Sequence, residues 1–204
     1  GELINRELLE RSCKGYISYL RGENPVSFPL RLYPNHSQKN IIDNTNSPHL
    51  DIFNKRIQDE NKLSFLTLYG SSLKGHQKNI YMNEIVKYEG LDNLKIDIEN
   101  KLLQLSNIVY PGSSIDLNDL YGDNGLNNSM NIVKDVYSYK SDILSEYGEY
   151  FHKDIIGEYS SKIENILNII SKSDGIVFIY SNWIKSGIIP LVLALEQNGY
   201  TKSD

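Results

Sequence analysis

A mixed α/β fold, rich in helix, is the class this sequence predicts, and three patterns predict it. Apolar residues recur at helical spacing in several stretches, most regularly at Leu91, Leu94, Ile98, Leu102 and Leu105. Ile176-Val177-Phe178-Ile179-Tyr180 is a continuous apolar run of the kind found in strands buried on both faces of a parallel sheet. That run sits between two stretches with helical patterning, and helix, buried strand, helix is one α/β layer unit.

The elements follow in order. Leu3, Ile4, Leu8, Leu9, Ile17 and Leu20 predict a helix over about residues 5–20, stopped by Gly22 and by Asn24-Pro25. Residues 28–34, bracketed by prolines, read as an extended segment suited to an edge strand or strap. Residues 35–61 are rich in Asn, Ser, His and Asp and read as a loop. Residues 63–69 are strand-like and are closed by Gly70-Ser71-Ser72, after which Leu73, Gln77, Ile80, Tyr81 and Ile85 share one helical face. A second helix is expected over about residues 91–105, ended by Pro111-Gly112. Residues 113–128 are turn-rich, and residues 126–133 and 141–151 are each read as helix. Ser160-Ser161 is placed to cap a helix whose apolar face is Ile163, Ile166, Leu167, Ile169 and Ile170. Asp174-Gly175 then turns into the apolar run, Ser181-Asn182-Trp183 leaves it, and residues 188–195 form an apolar helix ending at Gly199.

Composition narrows the classes. The chain has 204 residues, 40% of them hydrophobic and 23% charged, which fits a globular protein of one domain and part of another. No run of about 18 apolar residues occurs and the N-terminal residues lack a signal layout, so no membrane association is expected. Cys13 is the only cysteine, so an internal disulfide is excluded and a reducing, intracellular setting is expected. The net charge of −5 is the wrong sign for nucleic-acid binding by overall electrostatics, so any such contact must be local. Ala194 is the only alanine while Asn, Ile, Lys and Tyr abound, a bias that matches an AT-rich genome.

The order of elements, with three stretches in particular, resembles the region that joins the two RecA-like lobes of a Swi/Snf-type superfamily II ATPase. Leu73-Lys74-Gly75-His76-Gln77-Lys78-Asn79-Ile80-Tyr81 resembles that family's leucine, glutamine and tyrosine helix. Leu102-Leu103-Gln104-Leu105-Ser106-Asn107-Ile108-Val109-Tyr110-Pro111 is similar to its helix ending in an asparagine and proline turn. Ser160-Ser161-Lys162-Ile163, followed by residues 175–183 and Gly199-Tyr200, resembles the entry to the second lobe with helicase motif IV. Residues 13–25 and 28–34 resemble the version found in helicases of giant DNA viruses (nucleocytoplasmic large DNA viruses), relatives of poxvirus early transcription factor and nucleoside triphosphatase I.

The resemblance implies three parts: residues 1–34 as the end of the first lobe and connector, 35–158 as an inter-lobe insertion, and 159–204 as the start of an incomplete RecA-like βα lobe containing motif IV. It implies a fragment of an ATP-dependent nucleic-acid helicase or translocase, viral and linked to transcription. DNA or RNA, and viral RNA polymerase or transcription factors, are the implied partners, and the virion or the host cytoplasm the implied place. ATP and Mg²⁺ are implied for the complete protein only. The sequence contains no Gly-x-x-x-x-Gly-Lys-Ser/Thr loop and no arginine-rich late motif, and hydrolysis needs loop amides, a lysine, magnesium and arginine charge. No catalytic residue is therefore assigned, and no ATP site is expected within the chain. A single apolar strand flanked by two helices cannot form a sheet alone, so a larger protein or a pairing partner is expected.

The nucleic-acid-binding candidates are Lys162, Ser181, Asn182 and Trp183. Ser181 and Asn182 leave a strand end, where a hydroxyl and an amide either reach a phosphate or cap the next helix. Lys162, in the first turn of a helix, either holds a phosphate in the helix N-terminal field or is simply solvated. Trp183 either stacks on a base or packs in the core. No metal site is assigned: His36, His49, His76 and His152 lack ligand spacing, and residues 122–131 lack that of a calcium loop. The alternative to a helicase fragment is a non-enzymatic docking module of a viral transcription complex, carried by residues 35–159.

Overall fold

The computed structural model describes residues 40–202 apart from positions 54, 63–66, 92–93 and 115. The expected helix over residues 5–20, the segment 28–34 and Cys13 lie outside the described residues.

Strand β1 (Ile41–Ile42) pairs antiparallel with β2 (Leu68–Tyr69), with Ile41 opposite Tyr69. Between them the chain runs mostly in turns held by side chains, as where Asp43 accepts from the Thr45 amide at 2.8 Å and Asn46 donates to the Ile41 carbonyl at 2.6 Å. These local bonds compete with regular structure and explain the loop expected from composition.

Helix α1 (Gly75–Val86) buries Gln77, Glu84 and Ile85, while Ile80 and Tyr81 pack against Leu105, Val109 and Leu120. Helix α2 (Ile96–Asn107) carries Asp97 and Glu99 in its first turn, where acidic residues favour the helix dipole. It starts later than the spacing predicts, with Leu91 outside it and exposed, and it runs to Asn107, close to the expected end near residue 105. Residues 108–110 that follow it are extended and buried, with the Val109 amide donating to the Tyr159 carbonyl at 2.9 Å and the Tyr110 amide to the Leu120 carbonyl at 2.8 Å.

The helix expected over residues 126–133 is corrected. Helix α3 (Gly122–Ser129) ends where strand β3 (Met130–Val133) begins, and β3 pairs with β4 (Val136–Tyr139) in a hairpin. Met130 faces Tyr139 and Ile132 faces Tyr137, and these four side chains lie in or against the main core. The two-residue turn places Lys134 and Asp135 at φ 50° and 61°, the tight-hairpin geometry usually given to Asn-Gly. Helix α4 (Ser141–Tyr147) is also shorter than expected, because Gly148 at φ 67° turns the chain and sends Tyr150 and Phe151 into the core.

Helix α5 (Ser161–Ile170) is capped by Ser160, whose hydroxyl accepts from the Ile163 amide at 3.0 Å. After a π-helical turn (Ile184–Ile188) comes helix α6 (Ile189–Gln197), with Pro190 in its first turn. The main core gathers Tyr110, Leu126, Tyr150, Phe151, Ile163 and Leu191, among others, so residues on both sides of position 158 share it.

The fold of the described residues is thus mixed α/β, with six α-helices and two small antiparallel strand pairs. The buried parallel strand over residues 176–180 is a second correction. That run is extended but unpaired among the described residues, with Ile176 and Phe178 at 93% and 90% exposure, while Ile179 packs against the core. A strand's burial comes from its neighbours, and none of the described residues supplies one.

Candidate nucleic-acid interface

The site forms where the C-terminal end of α2 meets the N-terminal end of α5. Helix ends leave backbone groups unsatisfied, and here each end supplies what the other lacks. Gln77 of α1, fully buried, donates to the Leu105 carbonyl at 2.9 Å and accepts from the Ser161 amide at 3.0 Å. The Ser160 hydroxyl donates to the Asn107 carbonyl at 2.5 Å while capping α5. Beyond this seam Lys162 donates from Nζ to Asn107 Oδ1 at 2.5 Å.

The opposite wall is the segment that leaves the apolar run. Ser181 makes a local turn, its hydroxyl donating to the Trp183 carbonyl at 3.0 Å and accepting from the Trp183 amide at 3.1 Å. Asn182 is exposed and accepts at Oδ1 from the Tyr180 hydroxyl at 2.7 Å. Neither residue caps the helical turn that follows, which has no side-chain cap. That turn is pinned from below: buried Ser186 donates to Gln104 Oε1 at 3.1 Å and accepts from the Gly122 amide at 2.8 Å, and the Tyr110 hydroxyl donates to the Lys185 carbonyl at 2.5 Å. Gly187 has no room for a side chain, since a Cβ there would lie 2.1 Å from Ser181 Oγ.

Between these walls is an open cleft of about 320 Å³, and all four sequence candidates, Lys162, Ser181, Asn182 and Trp183, line it. Leu103, Ile166, Ile179 and Leu191 contribute apolar surface to it. Among the described residues, no Asp or Glu lines the cleft. Lys162 is exposed as a residue, yet desolvation around its ammonium lowers its pKa. Its recorded partner is a neutral amide, and no carboxylate pairs with it among the described residues.

Gln77, Asn107 and Gly187 were not singled out as site residues by the sequence. Gln77 is the one with a signal, a lone polar residue on an otherwise apolar helix face; the roles of Asn107 and Gly187 depend on contacts 55 and 6 residues away in the chain.

Elsewhere the chemistry is structural. Burial raises the phenol pKa values, Tyr139 up to about 12 and Tyr150 further, so these hydroxyls stay protonated and act as hydrogen-bonding core groups. Buried Glu84 takes bonds from Lys87 at 2.6 Å, from Lys101 at 3.2 Å and from the Tyr88 hydroxyl. Among the described residues no three His, Cys, Asp or Glu side chains converge on a metal position, and no helix is long and apolar enough to cross a membrane.

Two proteins of Acanthamoeba polyphaga mimivirus, both named as ATP-dependent RNA helicases, are similar to this chain. One is 27% identical over 184 residues, covering 90% of this chain and 24% of the relative. The other is 26% identical over 233 aligned positions, covering 96% of this chain and 18% of the relative. The chain thus spans a quarter or less of the length of these relatives. No protein-family model and no solved structure matches. The similarity supports kinship with helicase-related viral proteins.

Proposed function

We propose that this chain supplies a nucleic-acid-binding cleft, and the region coupling it to the rest of the molecule, in an ATP-dependent helicase or translocase of the giant-virus superfamily II type. Residues 35–158 act as the inter-lobe insertion and residues 159–204 as the start of a RecA-like lobe. On this reading ATP and Mg²⁺ are held by other parts of the complete protein, since the sequence here has no Gly-x-x-x-x-Gly-Lys-Ser/Thr loop. The relatives' names and the cleft's chemistry support this reading together.

Lys162 is the observation that carries it. A cation in the first turn of a helix opposes the dipole, and a desolvated one without a carboxylate partner is held at a cost. A phosphate at the cleft mouth relieves both penalties, and no carboxylate among the described residues lines the cleft to oppose it. Ser181 and Asn182 contribute a hydroxyl and an amide once their local bonds are exchanged for phosphate oxygens.

The test is titration of the chain with a single-stranded oligonucleotide across a range of salt. Each neutralised phosphate contributes a slope of about −0.7 for single strands, so Lys162→Gln should weaken binding and flatten the slope by about that amount. An unchanged slope, or no binding by the parent chain, refutes the proposal. In the complete protein, nucleic-acid-stimulated ATP hydrolysis should fall with the same substitution.

A second reading, a docking module for a viral transcription complex, is favoured by one feature. The β3–β4 hairpin holds Val133 and Val136 at 66% and 67% exposure on either side of its two-residue turn. Retention of viral RNA polymerase by the parent chain, lost in Val133→Asp, would favour docking over the cleft.

A further inference from the structure

Resting on the nucleic-acid reading of the same cleft, we infer that the pocket between α5 and the Tyr180–Trp183 wall takes one unstacked nucleobase, with its phosphate at Lys162, and so selects single strands over duplex. A phosphate alone explains the lysine and the missing carboxylates, but not the rest of the surface. Leu103, Ile166, Ile179 and Leu191 would strip water from a phosphate and return nothing for it. A base has apolar faces that such a surface can cover, and polar edges that an amide such as that of Asn182 can meet.

The dimensions agree. At about 320 Å³ the cleft lies at the small end of the range for ligand pockets, about 300–1,000 Å³, which suits one ring system and excludes a helix. Tyr180 is 77% exposed beside Trp183, and the two lie on the same wall, where aromatic side chains act as stacking platforms for bases. In a duplex the base is already stacked and must be pulled out before it can enter. Base faces are alike across the four nucleotides, so the cleft discriminates strandedness and reads little sequence.

Trp183 is the only tryptophan in the chain, so its fluorescence reports this cleft alone. The probes are labelled oligothymidylate, an abasic strand of equal length and phosphate count, and a duplex of that length, with binding followed by anisotropy. Oligothymidylate should bind about tenfold more tightly than the abasic strand and quench Trp183, and the abasic strand should bind without quenching. Trp183→Leu should bring the two affinities together. Leu103→Ser, at a residue 54% exposed and so tolerant of change, should do the same while circular dichroism and melting stay those of the parent chain. Equal affinity for the base-bearing and abasic strands overturns the base pocket and leaves the phosphate site standing. Equal affinity for duplex and single strand also overturns it. Failure of every probe to bind overturns both.

Discussion

Replacing Gln77 by leucine should destabilise the chain far more than a change of one polar side chain on a helix normally does. Leucine matches glutamine closely in volume, so neither a large cavity nor overpacking enters. What is lost is a donor to the Leu105 carbonyl at 2.9 Å and an acceptor from the Ser161 amide at 3.0 Å, both at helix ends and both with no helical partner of their own. The Val109 amide that would have served Leu105 is committed to Tyr159. A buried polar group left unsatisfied costs about 1–3 kcal/mol, so two cost about 2–6 kcal/mol, less the modest gain from burying a leucine. The net is about 2–5 kcal/mol, a large part of the about 5–15 kcal/mol that holds a typical domain. At about 2–4 °C per kcal/mol for a chain of this size, Tm should fall by about 4–20 °C. Urea denaturation followed by far-ultraviolet circular dichroism measures it. A leucine variant within about 0.5 kcal/mol of the parent would show that the helix ends find water or other partners, and the account of the seam would fail.

Other substitutions test neighbouring steps. Gly187→Ala puts a Cβ 2.1 Å from Ser181 Oγ and 3.2 Å from the Trp183 Cβ, so the wall must shift; stability should drop by about 1–3 kcal/mol, and the Trp183 emission maximum should move, both read in one melting experiment. Gly75→Ala combines a φ of +52° with a Cβ 1.6 Å from Glu158 Oε2, and should lower Tm by displacing the start of α1. Burial, the largest single influence, pushes the Glu84 carboxyl up, but bonds from Lys87, Tyr88 and Lys101 outweigh it and hold its pKa below the ordinary value of 4.5. A lowered carboxyl pKa contributes stability that is present above that ordinary value and lost as pH falls through the folded one. Glu84→Gln should therefore cost about 1–3 kcal/mol near neutrality and progressively less in acid, so the Tm-against-pH curves of parent and variant should converge below pH 4.5.

Legibility from sequence followed the range of the interactions that set each element. The α5 cap was readable because Ser160 and Ile163 are three residues apart, and helix spacing marked α1, α2, α5 and α6 for the same reason. The β3–β4 hairpin was not, because Lys134-Asp135 lacks the glycine that usually announces such a turn, and its pairing is sealed by Tyr139 and Tyr150 in the core. The extended, buried course of residues 108–110 after α2 was hidden too, since it is fixed by Tyr159, about fifty residues on, accepting from the Val109 amide. Residues 176–180 show the limit from the other side. Their residue types specify extension, but burial on both faces is a property of adjoining strands that residue types cannot specify. In the cleft, the identities of Lys162, Ser181, Asn182 and Trp183 were available in advance. Their convergence depends on Asn107, Gln104 and Gly122, whose parts only the folded chain displays.

The way the cleft is built bears on how it could serve a moving machine. Its two walls are set by directional polar bonds between helix ends and turns, with the apolar core lying behind them. Such bonds fix position within tenths of an ångström while intact and give little resistance once broken, unlike an apolar contact, which tolerates sliding. Lys162 is thereby tied through Ser161 and Gln77 to α1, and the Tyr180–Trp183 wall is tied through Ser186 to Gln104 and to the start of α3. A displacement of α1 relative to α5 must therefore either carry Lys162 with it or break the Gln77 bonds. Under the proposed helicase function, with α1 responding to nucleotide state, Gln77→Leu should uncouple ATP hydrolysis from strand movement while leaving single-strand affinity of the folded variant within about twofold of the parent, because Lys162 and the cleft lining are unchanged. Loss of hydrolysis and strand movement in equal proportion would place the coupling elsewhere.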